Sequence, residues 1–166
     1  MNGDLLQQVY GKYSREILVY LYSLSRDRQL AEDLTQETFV KALLSLPDGH
    51  ANIRAWLYKV ARNLFINHFR SRASTVDIDA IGELPGSEGE AETILINKLR
   101  SRKLYEAILR LDRQKREVII LQYFSGFPLA QTAEMLNLSP ANVRVLSHRA
   151  KKELKTMLEE MNDEIF

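Results

Sequence analysis

Apolar residues recur along most of the chain at the three- and four-residue spacing of an amphipathic helix, and alternating strand patterns are absent. In the first half, this spacing predicts helices over residues 5–24, 28–46 and 52–71. The sequence Leu46-Pro47-Asp48-Gly49 predicts a turn between the last two of them. In the helix over 28–46, the side chains expected to face the core are Leu30, Leu34, Val40, Leu43 and Leu44.

The second half contains clearer start and stop positions for its helices. Asp112 is a good N-cap for a helix through the sequence REVIILQYF, and Gly126 is expected to end that helix. Pro128 suits the first turn of a short helix that ends at 136, and Ser139 followed by Pro140 can start a final helix. Two helices joined by so tight a turn predict a helix-turn-helix. The residues expected in its buried part are Ala133, Leu136, Leu138, Val143, Leu146, Ala150, Leu154 and Leu158.

Charge divides the chain into three parts. The formal net charge is only +1 over 166 residues, but residues 1–72 carry +3, residues 73–99 carry −5 and residues 100–166 carry +3. The acidic part includes IGELPGSEGEAE, a Gly-containing stretch with too few bulky apolar groups to offset its ordering entropy. We therefore predict an all-α protein of two small helical domains, 1–73 and 98–166, joined by a flexible acidic linker over 74–97. The alternative is a long loop within one domain.

Composition also excludes several classes of function. The chain has no cysteine, so it holds no disulfide framework, no Cys-ligated zinc and no thiol catalyst, which suits a reducing cytosol. We expect no membrane insertion and no secretory signal, because no apolar run approaches 18 or so residues and the first residues lack a basic stretch before an apolar core. We expect no cofactor either. The three histidines are scattered, and no HExxH, DxD or glycine-rich phosphate loop accompanies them.

Residues 50–72 combine cations with aromatic rings. The stretch carries five basic side chains and no acid, and Trp56, Tyr58, Phe65 and Phe69 are interleaved with them. Cations and exposed rings together suit single-stranded nucleic acid, whose phosphates meet the cations and whose bases stack on the rings. The alternative, a plain core stripe, is preferred for Trp56, Val60, Leu64 and Phe65. The functional interpretation is preferred for Lys59, Arg62 and Asn63.

Two other helices carry candidate binding faces. On the final helix, Arg144, His148, Lys151 and Lys152 point away from the core stripe and Arg149 lies at its boundary, an arrangement that suits a DNA major groove. A solvated helix face is the alternative. On the helix over 28–46, Asp33 and Glu37 form a like-charge pair one turn apart, with Gln36 beside them. This patch is either a docking site for a protein partner or a solvated face. A third alternative, a small hydrolase, would use Glu32, Asp33 and Glu37.

Taken in order, the segments AEDLTQETFVKAL, IRAWLYKVARNLFINHFRSR, the acidic stretch and REVIILQYFSGFPLAQTAEMLNLSPANVRVLSHRAKKEL resemble a bacterial extracytoplasmic-function sigma factor. The resemblance covers nearly the whole chain. It implies a cytoplasmic promoter-recognition subunit of RNA polymerase that is not an enzyme. Its partners would be core polymerase (the β′ clamp helices and the β flap), promoter DNA and an anti-sigma factor. The alternative class is a helix-turn-helix regulator that binds duplex DNA independently of polymerase.

The resemblance also implies roles for particular residues. The polymerase-binding residues would be Asp33, Leu34, Gln36 and Glu37. The residues that recognise and melt the −10 element would be Arg54, Trp56, Tyr58, Lys59, Arg62 and Asn63, with the turn at 47–54 shaping a base pocket. The residues that contact the −35 element would be Ser139, Asn142, Arg144, His148, Arg149 and Lys151. Apolar residues near 108–124 would face either the core or the β flap.

Overall fold

The computed structural model describes residues 3–45, 52–73, 90–99 and 102–163. Every regular element within these ranges is helical, as predicted. The elements are α1 (Gly3–Ser25), α2 (Arg28–Ser45), α3 (Ile53–Ala73), α4 (Glu90–Leu99), α5 (Arg102–Arg110), α6 (Arg113–Ile119), a π-helical turn (Ile120–Phe124), α7 (Leu129–Leu136) and α8 (Pro140–Asp163).

The chain divides into two compact units, Met1–Ala91 and Glu92–Phe166. The predicted two-domain organisation is therefore confirmed, and the single domain with a long loop is not supported. Of the predicted linker, residues 74–89 lie outside the described residues, as does the predicted turn at 46–49. Residues 90–97, also assigned to the linker, instead belong to α4.

In the first unit, α1, α2 and α3 pack around one core. Arg26 adopts a left-handed conformation with φ of 54°, which ends α1. The Asp27 carboxylate then accepts a hydrogen bond from the Leu30 backbone N–H at 3.1 Å and so caps α2. Because only two residues separate these helices, α1 and α2 pack as antiparallel neighbours. The large fully buried side chains are Ile17, Val19, Tyr20, Leu21, Leu57 and Tyr58.

The core-facing side of α2 differs from the prediction. Among the five residues expected to be buried there, only Leu34 is, while Leu30 is half-buried and Val40, Leu43 and Leu44 are exposed. Small side chains line the core instead, together with one ring: Ala31, Thr35, Thr38, Phe39 and Ala42. The threonines are buried without penalty because Thr35 and Thr38 donate their hydroxyls to the carbonyls of Ala31 and Leu34, both at 2.7 Å.

In the second unit, the predicted start and stop residues are confirmed, with one unexpected feature between them. Asp112 caps α6 by accepting from the Lys115 backbone N–H at 2.9 Å, and Gly126 ends the segment with φ of 73°. Between them, the helix changes to a π-helical turn, because the Ser125 N–H bonds to the Ile120 carbonyl five residues earlier, at 2.9 Å. The sequence pattern did not predict this π-helical turn.

Candidate nucleic-acid interface

The helix-turn-helix of the second unit consists of α7, a short turn and α8. Asn137 ends α7 in a left-handed conformation with φ of 55°, and the Ser139 hydroxyl oxygen accepts the Asn142 N–H at 3.1 Å. Pro140 is the first residue of α8, as predicted, whereas Pro128 lies one position before the short helix rather than in its first turn. Ala133, Leu136 and Val143 are buried where the two helices meet.

An ion-pair network fixes α8 against the helix that precedes the π-helical turn. The Lys115 ammonium lies 2.8 Å from a Glu153 carboxylate oxygen and 3.2 Å from an Asp112 carboxylate oxygen. The hydrogen bond to Glu153, followed by that to Asp112, raises the pKa of Lys115. Burial pushes the pKa of Asp112 upward, but the hydrogen bonds and charge of Lys115 outweigh it, so the pKa of Asp112 is lowered. The outer face of α8 is thereby held in a fixed orientation.

That outer face carries most of the predicted −35 residues. Val143, Ala150 and Leu154 face the core, and the exposed predicted residues are Asn142, Arg144, His148, Arg149 and Lys151. Ser139 is exposed too, but its hydroxyl is already engaged as the cap of α8. Lys152, which the sequence pattern also placed outward, is exposed. The N-terminal half of α8 therefore presents a polar and cationic surface.

Two sides of this surface differ in their neighbours. On one side, Arg144, His148 and Lys151 line a shallow groove of about 290 Å³ that also includes residues of the π-helical turn. On the other side, Arg149 and Lys152 line a groove of about 520 Å³ together with Arg110. The first groove, lined by cations and open to solvent, suits phosphate oxygens of a DNA backbone, whereas the second is also lined by the carboxylates of Asp112 and Glu153.

The π-helical turn adds a residue that the sequence pattern did not identify. Tyr123 is half-exposed beside α8, and the Lys151 ammonium lies 4.8 Å from the centroid of its ring. The hydrogen bond from Lys151, with a smaller one from Ser147, lowers the pKa of the Tyr123 hydroxyl. The other large apolar residues of the segment 108–124 are mostly in the core, with Ile108, Val118, Ile119, Ile120 and Leu121 buried.

In the first unit, α3 combines core residues with candidate binding residues. Tyr58 is 1% exposed and its ring packs 4.8 Å from that of Tyr20. Arg54 forms an ion pair with Glu16 at 2.6 Å, and its guanidinium lies 5.5 Å from the Tyr58 ring centroid. Both residues were predicted to contact the −10 element. Their observed contacts hold α3 against α1.

The other predicted −10 residues lie closer to solvent. Asn63 is exposed, and Trp56, Lys59 and Arg62 are half-buried. The core interpretation holds for Leu64 and Phe65, which are buried, and only partly for Trp56 and Val60, which are half-buried. One turn beyond Asn63, Asn67 is exposed as well, followed by Arg70 and Ser71. This exposed side of α3 is the part of the helix that a nucleic acid can reach.

On α2, the outer stripe consists of Asp33, Gln36, Glu37, Val40 and Leu44, all exposed and spaced at three or four residues. Asp33 accepts a hydrogen bond from the Gln29 side chain at 3.0 Å, and Leu44 is 77% exposed. Leu34, which was predicted with this group, is 4% exposed and lies in the core beneath the stripe. The surface that α2 offers is therefore acidic at one end and mainly apolar at the other, with the exposed Lys41 between Glu37 and Leu44.

The residues that the structure describes form neither a metal-binding cluster nor a membrane-spanning helix. Among them, no three His, Asp or Glu side chains gather closely enough to hold a metal ion. Glu32, one of the carboxylates of the hydrolase alternative, is paired with Arg28 at 3.2 Å. Over the same ranges, no helix combines the length and the apolar character needed to cross a membrane.

Comparison with known proteins gives the family. Residues 9–75 match the model of Sigma-70 region 2, and residues 101–154 match that of Sigma-70, region 4. The RNA polymerase sigma factor YlaC of Bacillus subtilis is 34% identical, over 97% of this chain and 96% of that protein. The ECF RNA polymerase sigma factor SigM of the same organism is 30% identical, over 96% of this chain and 99% of that protein. The chain belongs to the family of extracytoplasmic-function RNA polymerase sigma factors.

Solved structures agree with this assignment. The sigma factor RpoE of Bartonella quintana, solved in complex with the anti-sigma factor NepR, superposes with a TM-score of 0.71 at 27% identity, covering 92% of this chain and 96% of that one. CnrH, solved with the cytosolic domain of CnrY, superposes with a TM-score of 0.66 at 22% identity, over 96% of this chain and 90% of that one, and supports the fold.

Proposed function

We propose that the protein binds core RNA polymerase and directs promoter-specific initiation of transcription. It acts by binding and strand separation, and the core enzyme supplies the catalysis, so the chain itself is not an enzyme. One observation carries the proposal: a single chain joins an α2 with an acidic and apolar outer stripe to a helix-turn-helix with an exposed cationic face. A regulator that worked without polymerase would need only the second of these.

The outer stripe of α2 is assigned to the β′ clamp helices of the polymerase. Asp33, Gln36 and Glu37 supply charged and polar contacts, and Val40 and Leu44 supply apolar area that the folded chain leaves uncovered. Exposed apolar side chains next to charges are typical of protein-binding sites. Leu34 supports the stripe from below. The β flap is the expected polymerase partner of the second unit.

The exposed side of α3 is assigned to the −10 element. Asn63 can hydrogen-bond an unpaired base, while Lys59 and Arg62 lie at its margin, where phosphates would pass. Trp56 is half-buried and contributes one edge of this surface. Arg54 and Tyr58 act indirectly, because they position α3 on α1 through Glu16 and Tyr20.

The outer face of α8 is assigned to the −35 element. Asn142, Arg144 and His148 lie in the first two to three turns, the part of a recognition helix that reaches base edges and adjacent phosphates. Arg149 and Lys151 lie on opposite sides of that face, where each lines a groove, and both suit phosphate contacts. Ser139 contributes by capping α8.

We further propose that residues 1–73 and 98–166 act as two DNA-binding domains on an acidic tether, 74–97, whose last part is helical. Binding of one domain makes binding of the other intramolecular, which raises its effective concentration. The negative charge of the tether disfavours its own contact with phosphates. Because the protein works with polymerase on DNA, we place it in the cytoplasm.

An anti-sigma factor is the proposed inhibitor. The similar Bartonella sigma factor was solved in complex with one. A protein that occupied the outer stripe of α2 would prevent docking to polymerase, and the apolar Val40 and Leu44 give such a partner area to bury.

The test is binding to core polymerase followed by transcription. We expect the purified protein to bind core enzyme and to produce discrete transcripts from fragmented genomic DNA, whereas free duplex DNA is bound weakly. Glu37→Lys should weaken binding to core at least about tenfold, since reversing a charge at an interface costs more than about 1.4 kcal/mol. Glu106→Lys, the same change at an exposed position on α5, is the matched control.

The outcomes separate the candidate functions. Tight binding to specific duplex DNA without polymerase, and no promoter-dependent transcript with it, would establish the independent regulator instead. Equal binding of Glu37→Lys and Glu106→Lys to core polymerase would remove the outer stripe of α2 from the docking surface.

A further inference from the structure

The outer face of α8 carries one apolar side chain that its fold does not need. Val145 is 46% exposed in the second turn of α8, on the side opposite the buried Val143 and Ala150. A β-branched residue at an exposed helical position lowers helix propensity relative to alanine and buries little area. Neither the core nor the helix therefore accounts for a valine here.

The surroundings of Val145 define what can cover it. Its exposed neighbours one turn away are Ala141 and Asn142 on the N-terminal side and His148 and Arg149 on the C-terminal side. Ala141 and Val145 thus form a short apolar strip within a cationic surface. A strip of this size fits one small apolar group of a ligand that is otherwise anionic.

A DNA major groove offers one such group. Among the four bases, only thymine presents an apolar substituent there, its C5 methyl, and small apolar side chains recognise it by contact. Residues in the first turns of a recognition helix are the ones that reach base edges. Val145 occupies that part of α8, and the cationic residues on both sides of it suit the flanking phosphates.

We propose that Val145 packs on the C5 methyl of a thymine in the −35 element and makes the protein specific for thymine at that position. This inference rests on the proposed function, since it requires α8 to lie in the major groove. Val145 then distinguishes thymine from the other bases, and the cations around it contribute affinity that does not depend on the base sequence. The promoter should therefore contain a −35 position where a methyl group, rather than a hydrogen-bond pattern, determines binding.

The test replaces each thymine of the −35 element, on either strand, with deoxyuridine, which lacks only the methyl group. The promoter is first identified from transcripts made by the polymerase holoenzyme, and holoenzyme affinity is then measured on each synthetic duplex. At one position, the wild-type protein should bind the deoxyuridine duplex about fourfold more weakly, as expected for one buried methyl group. Changes at the other positions should stay below about 1.5-fold.

A double-mutant cycle assigns that effect to the side chain. Val145→Ala should weaken binding to the natural promoter about fourfold, yet it should bind the deoxyuridine duplex and the natural duplex equally within about 1.5-fold. The substitution does not threaten the helix, because alanine has the higher helix propensity. Glu159→Ala, an exposed change on the same helix, should leave both affinities at the wild-type values.

Several results would overturn the inference. The first two are a −35 element without an A·T pair and a holoenzyme affinity that no deoxyuridine substitution changes. The third is a Val145→Ala protein that loses as much affinity as the wild type when the methyl group is removed. The fourth is weaker binding of Val145→Ala to core polymerase in the absence of DNA. Failure of the proposed function would be seen earlier, as the absence of any promoter-dependent transcript from the wild-type holoenzyme. If transcription is active but no deoxyuridine substitution changes the affinity, only the role of Val145 is contradicted.

Discussion

The two helices proposed to bind DNA, α3 and α8, differ in how their exposed faces are separated from the core. On α8, the core residues Val143, Ala150 and Leu154 form one stripe, and the exposed cations occupy the other side. On α3, Arg54 and Tyr58 belong to the packing against α1 although their chemistry suits nucleic acid. Residue type therefore predicted well which side chains of α8 are exposed and predicted poorly which side chains of α3 are exposed.

The difference arises from the surroundings of each helix. One side of α8 has packing neighbours and the other has solvent, so amphipathic spacing alone separates the two roles. The cation Arg54 of α3 reaches Glu16, 38 residues earlier in the chain, and no local pattern reports that ion pair. If this comparison is correct, substitutions at α3 core positions should act on stability, and substitutions on α8 should act on DNA affinity.

The largest effect is expected from Tyr58→Ala. Removing this ring, which is 1% exposed and packed on Tyr20, should destabilise the first unit by about 3–5 kcal/mol. Urea unfolding followed by the fluorescence of Trp56, the single tryptophan of the chain, measures the stability of this unit. Tyr58→Phe is the control and should cost about 1 kcal/mol or less, since the ring stays.

The comparison between α3 and α8 would be contradicted if Tyr58→Ala has the same midpoint of urea unfolding as the wild type but fails to open promoters. Tyr58 would then contact DNA directly, and its buried position would describe only the free protein.

A smaller effect is expected from Arg144→Ala on α8. The side chain is exposed, so the stability of the unit should change by less than about 0.5 kcal/mol. Holoenzyme affinity for the promoter should fall about tenfold, and the slope of log affinity against log salt should decrease in magnitude by about one, because one phosphate contact is lost. Lys12→Ala, which removes one exposed positive charge from the first unit, is the matched control.

An unchanged salt slope for Arg144→Ala would mean that Arg144 reads a base or contacts nothing. The groove that Arg144 lines with Tyr123 and Lys151 would then not bring it to a phosphate.

The ends of helices that depend on one residue and its immediate backbone were predictable from the sequence. Asp112, Gly126, Ser139 and Pro140 act within one turn of where they stand, and each occupies its expected position. The helix-turn-helix followed from them. The π-helical turn was not predictable, because no residue type in this segment signals the shift from a four- to a five-residue hydrogen bond.

The side of α2 that faces the core was predicted wrongly for a physical reason. The prediction placed the largest apolar residues inside, whereas Thr35 and Thr38 are buried because each hydroxyl bonds to the carbonyl four residues earlier. Small residues allow α2 and α1 to approach closely, and Val40 and Leu44 are left exposed. The apolar half of the proposed polymerase-docking stripe became visible only in the structure.

The central claim is that α8 binds the promoter while the exposed side of α3 opens it. Permanganate reactivity of −10 thymines tests this claim most directly, measured with holoenzyme carrying Asn63→Ala at concentrations that saturate the −35 element. Asn63 is exposed, so Trp56 fluorescence should show unchanged stability. We predict wild-type occupancy of the −35 element and a loss of thymine reactivity of about tenfold, since a good pair of hydrogen bonds from a side chain to a base is worth about 1–3 kcal/mol. Wild-type reactivity at full occupancy, or equal loss of occupancy and reactivity, would contradict the claim.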